Sequence, residues 1–175
     1  IFLNIKQIYH LIPEEYSGGI AVVFLIGLSK FYDVIQGNNN AIILNTKYYR
    51  WVLVFGLLLV VMMIGLNMIF IPMYGIVGAA LATLISVIVY NTIKLWFVVK
   101  KMNLFPFTKN TLLSFGIIIV VFLLFYFWDF SFHPIVNIVL KSILISIVYM
   151  YCNYRLVISA EINQVINNFL VRLKS

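Results

Sequence analysis

Charge is what this sequence has least of. Only 10% of its 175 residues are charged, against about 25% in an ordinary soluble domain. Hydrophobic residues make up 64%, and mean hydropathy is +1.09. A hydrated surface cannot be assembled from that inventory, so the chain reads as a polytopic membrane protein. Acidic residues are scarcer still, five against twelve Lys and Arg, for a net charge of +7. The basic residues fall between apolar runs, which assigns them to membrane topology and argues against a nucleic-acid partner. The single cysteine, Cys152, excludes a disulfide framework or a thiolate metal cluster and reads as a small buried hydrophobe. No nucleophile elbow, phosphate-binding loop or HExxH pair is present. The chain is therefore not expected to be an enzyme or to hold a cofactor or metal. It also has no basic segment leading into a cleavable apolar core, and it begins at Ile1. The reading is a piece of a longer protein, with residues 1–16 the end of a preceding helix or an outside loop.

What is abundant is uninterrupted apolar sequence. Five runs can be drawn: Ser17–Leu44, Trp51–Ile71, Gly75–Val99, about Leu112–Trp128 and about Ile135–Tyr154. At about 1.5 Å per residue each crosses, or nearly crosses, a hydrocarbon core of about 30 Å. None alternates with the period of two that a transmembrane barrel needs, so the spans are predicted helical. The prediction is an all-α membrane protein with three helices over 17–99 and two more over 108–154. A cytoplasmic tail, 155–175, follows. In it Ile162, Val165, Ile166, Phe169, Leu170 and Leu173 recur at helical spacing, the pattern of an amphipathic surface helix.

The connections alternate in charge. Lys47, Arg50, Lys100, Lys101, Lys109, Arg155, Arg172 and Lys174 fall on one side and only Lys6 on the other. The positive-inside rule then places the 45–50 and 100–110 loops and the C-terminus in the cytoplasm. Asp129 and Glu161 end up on opposite sides, so they cannot pair for acid–base work. Pro72–Tyr74 becomes a very short outside turn. After it, Gly75, Gly78, Ala79 and Ala82 recur three or four apart, a small-residue face suited to close helix packing.

Ionisable residues inside a membrane are rare and mark transport paths. The stretch SKFYDVIQGNNN, residues 29–40, places Lys30, Asp33, Gln36 and Asn40 on one stripe midway along the first run. The stripe lines a cavity, or Lys30 and Asp33 form an internal ion pair; the two are compatible. Lys94, near the end of the third run, is expected to snorkel to the surface. Lys141 either snorkels outward or faces the interior. Asn67 and Asn91 are expected to hydrogen-bond between helices. These residues favour transport over chemistry.

The string NMIFIPMYGIVGAALATLIS, residues 67–86, resembles the Asn…Ile-Pro-x-x-Gly-x-x-Gly-Ala-Ala-x-Ala-Thr pattern of bacterial polysaccharide flippases. These are the Wzx-type O-antigen and capsule transporters of the multidrug/oligosaccharidyl-lipid/polysaccharide exporter superfamily. GNNNAIILNTKYYR, residues 37–50, is similar to the family's helix end and basic Thr-Lys loop. The similarity covers about residues 13–101; the last two runs match the two helices appended to the core in hydropathy alone. The resemblance implies the end of the second of two lobes, in the cytoplasmic (inner) membrane. It also implies alternating access for undecaprenyl-pyrophosphate-linked oligosaccharide, as in lipopolysaccharide assembly, and a partner lobe in the missing N-terminal part of the chain. Lys30 is the expected cavity cation, with Asp33 tuning it or coupling to an ion gradient. That position comes from its place in the helix and matches no family motif. Alternatives are a drug or cation exporter of the same superfamily, a membrane enzyme of polysaccharide assembly, and an accessory membrane subunit.

Overall fold

The computed structural model describes residues 2–11, 13, 18–37, 39–128, 133–158 and 163–164. The protein is all-α, with no strand among the described residues. A single 3₁₀ turn, Phe2–Asn4, leads into α1 (Ile5–Leu11). Then follow α2 (Ile20–Ile35), α3 (Asn39–Leu44), α4 (Trp51–Met102), α5 (Lys109–Tyr126) and α6 (Pro134–Arg155). Three of these, α4, α5 and α6, are long and apolar enough to cross a membrane. The expected amphipathic helix of the tail lies almost wholly outside the described residues, as do Asp129 and Glu161. The chain divides into two compact units, one built on α2, α3 and α4 and the other on α1, α5 and α6.

In the first unit α4 is a hairpin of two limbs. Phe55 and Phe97 would stand about 63 Å apart on one straight helix. Their ring centroids are 5.3 Å apart, and Trp51 lies 5.2 Å from the same ring. The fold-back is at Gly75, whose φ of 58° and ψ of −134° fall where only glycine is at ease. Pro72, three residues earlier, withholds an amide from the helix. The predicted break between the second and third runs is therefore where the structure turns.

The small residues after the turn divide their work. Gly75 is exposed and serves the turn itself. Gly78 is buried, and a Cβ there would collide with the carbonyl oxygen of Phe70 on the opposite limb. Ala82 is fully buried, Ala80 nearly so, and Ala79 is half-buried. The close-packing face thus starts at Gly78, with Gly75 apart from it, because the positive φ of Gly75 takes it out of the helical register. At the far end of the hairpin Phe55, Phe97 and Val98 close over Ile43 of α3. Lys47 and Lys100 lie over the rings of Tyr48 and Trp96 at this end.

Two expectations are corrected here. The first run is not one span: α2 ends at Ile35, and Gly37, with φ 67°, turns the chain into the separate α3. The polar string Gln36–Asn40 has the turn-forming chemistry that favours such a break. Asn67 does not bond between helices. Its Nδ2 donates to the Met63 carbonyl 2.7 Å away on its own limb, the short-range alternative open to a helical Asn.

In the second unit α5 begins with a reciprocal cap. The Thr108 hydroxyl accepts from the Thr111 amide at 3.4 Å, and the Thr111 hydroxyl accepts from the Thr108 amide at 3.2 Å. Pro134 sits at the first position of α6, where its missing N–H costs nothing. The start of α5 and the end of α6 lie side by side, joined by the Asn110 side chain donating to the Ile158 carbonyl at 2.9 Å. Ile117, Val121, Phe125 and Ile158 form this unit's core, with Leu3, Val148 and Cys152 against it.

Candidate functional site

A polar cluster lies in the first unit where α2 and α3 meet the second limb of α4. Its members are Asp33 on α2, Asn40 on α3, and Tyr90, Asn91 and Lys94 on α4. Asn91 and Lys94 are three residues apart on a helix, so they share a face. Asn91 is 1% exposed and its Nδ2 donates to Oδ1 of Asp33 at 2.8 Å. Lys94 is 4% exposed; its ammonium donates to Oδ1 of Asn40 at 3.1 Å and lies 4.1 Å from the Tyr90 ring centroid. Beside the cluster the Tyr32 and Thr92 hydroxyls are 2.8 Å apart. Asn91 lies eleven residues before Met102, about 17 Å along the helix axis and so well inside a spanning segment.

Lys94 therefore does not snorkel. The Asn40 side-chain carbonyl on α3 and the Tyr90 ring on its own helix hold it inside the unit, where a charge is tolerated only with such company. Asn91 does bond between helices, as its position in the run implied. The Lys30–Asp33 pair is not formed: Asp33 is held by Asn91, while Lys30 is exposed. Asp33 and Asn40 are exposed as well, and Gln36 is buried with no partner for its Oε1. Lys30, Asp33 and Asn40 are thus each exposed, the first two three residues apart on α2 and Asn40 beyond the Gly37 turn on α3. Among the described residues Asp33 is the sole carboxylate.

Lys141 belongs to the other unit. It is 1% exposed, one turn after Asn137, which is 3% exposed on the same face of α6. Next to it Ser142 accepts from Asn4 at 3.1 Å. Of the two placements open for Lys141, the structure has the interior one. The contribution of Lys94 and Asn91 to the cluster was hard to read from sequence. Their spacing of three within an apolar run was a usable signal, but nothing local says that Asp33 and Asn40 would meet them.

No group of His, Cys, Asp or Glu able to hold a metal occurs among the described residues. No family model, curated protein or solved structure matches the chain.

Proposed function

We propose that this chain is part of a transporter that moves a lipid-linked oligosaccharide across the cytoplasmic membrane by alternating access. The observation that carries the reading is the exposure of Lys30, Asp33 and Asn40 on helices packed along a membrane-length hairpin. A Lys or Asp facing lipid near the membrane centre costs about 2.5–3.5 kcal/mol even on the insertion scale. Such residues belong against water or further protein, as they would in a substrate path completed by a second lobe. The cation balance favours an anionic cargo such as a pyrophosphate-linked sugar: Lys30 is open, while Asp33 is already engaged by Asn91. That balance weighs against the drug or cation exporter. The motif of residues 67–86 supports the same reading by resemblance, and the basic ends at Lys47 and Lys100 fit a cytoplasmic face.

The test is export of surface polysaccharide in a flippase-null strain carrying the full-length gene. Wild type should restore polymer. Lys30→Ala, at equal protein level, should lower export about 100-fold if the lysine offsets one substrate charge of about 2.5–3.5 kcal/mol in the membrane. Normal export by Lys30→Ala would remove Lys30 from the path. Failure of the wild type in strains with several different donor sugars would overturn the flippase reading itself.

A further inference from the structure

The second unit carries an apolar groove along α5 and α6, about 670 Å³ in volume. It runs from Lys109 and Leu112 past Gly116 and Val120 to Leu124, with Cys152 on its α6 side. Its cause is local. Gly116 has no side chain, and a Cβ added there would meet nothing within 4 Å. Leu112 and Leu124 are twelve residues apart, about 18 Å along the helix. One leaflet of hydrocarbon is about 15 Å deep. The groove is as long as one acyl chain and open to the side.

Its ends differ in charge. Lys109 lines one end and is exposed. Arg155, also exposed, closes the last turn of α6 next to the lining residue Leu156. The Asn110–Ile158 hydrogen bond holds these two helix ends together. The Leu124 end has no Lys or Arg among the described residues before Lys141, which is buried. A tail-shaped apolar slot with Lys109 at one mouth, and with Arg155 one residue before the lining Leu156, matches an amphiphile with an anionic head. We propose that the groove seats one acyl chain of an acidic glycerophospholipid, with the headgroup phosphate against Lys109 and Arg155. This inference is independent of the transport reading.

The test uses the purified full-length protein in micelles containing phosphatidylglycerol and phosphatidylcholine in equal amounts, with retained lipid counted by native mass spectrometry. Each basic residue near an anionic headgroup contributes about fivefold, so wild type should prefer phosphatidylglycerol about thirtyfold. Lys109→Gln with Arg155→Gln should keep a bound lipid and lose the preference. Gly116→Trp fills the slot and should release lipid of both kinds; Gly116→Leu, a milder filling, should release part of it at unchanged melting temperature. Equal retention of both lipids by wild type would overturn the proposal. So would unchanged retention in Gly116→Trp, or a Gly116→Trp protein that only turns from dimer to monomer, which would assign the groove to a second copy.

Discussion

Alanine at position 78 is expected to break the α4 hairpin, while alanine at position 65 leaves it intact or tightens it. The chemical change is identical and the surroundings decide the sign. At Gly78 the new methyl group would enter the space of the Phe70 carbonyl, which is backbone and cannot swing away. The limbs would have to part, and with them the buried contacts of Ala80, Ala82 and Leu84. A cost of about 3 kcal/mol, the upper end for overpacking, follows. At Gly65 a Cβ meets nothing within 4 Å, and replacing a helical glycine by alanine gains about 0.5–1 kcal/mol. Gly75→Ala is a third case, with open space but a φ of 58°, so its cost of about 1–3 kcal/mol is conformational. Unfolding of the three variants in a denaturing-detergent titration, followed by circular dichroism, checks the order. Equal midpoints for Gly78→Ala and Gly65→Ala would refute the close approach of the limbs.

The second large effect is a coupling. Lys94→Met keeps the length of the side chain but removes the hydrogen bond to Asn40 and the contact with the Tyr90 ring. Hydrogen bonds to charged groups contribute about 1.5–3 kcal/mol, so a loss of about 2 kcal/mol is expected. Asn40→Ala weakens the same cluster from the other side by taking away the acceptor of the Lys94 ammonium. In the double variant neither partner of that hydrogen bond is left without its counterpart. Its loss of stability should therefore be smaller than the sum of the two by about 1–2 kcal/mol, as for groups in one network. Strict additivity would mean that Lys94 and Asn40 are not joined.

Much of the fold was legible because the membrane makes it so. Long apolar runs must be helices, and the break at Pro72–Gly75 can only be a turn when a proline and a glycine interrupt twenty apolar residues. The Thr108 start of α5 and the Pro134 start of α6 also carry local signals. The division of Ser17–Leu44 at Gly37 was harder, since hydropathy continues on both sides and only the polar string Gln36–Asn40 marks it. The site was legible in half. One face of α2, with Lys30 and Asp33, could be drawn from spacing alone, though not its continuation to Asn40 past the Gly37 turn. Its partners could not, because which limb packs against α2 is a tertiary outcome that periodicity does not encode. Lys94 illustrates the difference: near a helix end the inexpensive course is to snorkel, and only the meeting with Asn40 and Tyr90 makes burial the better one.

Lys30 and Asn40 are expected to face water inside the membrane. Cysteine accessibility tests this directly. In full-length protein carrying Cys152→Ser, single cysteines would be placed at Lys30, Asn40 and Leu57 and exposed to a charged, membrane-impermeant thiol reagent. Leu57 is 67% exposed in residues 52–66 of α4, a stretch without a polar residue, and serves as the apolar reference. Thiols react as thiolates, which need water or a polar setting. The expected result is rapid labelling at Lys30→Cys and Asn40→Cys, slowed by added lipid-linked oligosaccharide, with Leu57→Cys unreactive. Equally slow labelling at all three positions would contradict the account.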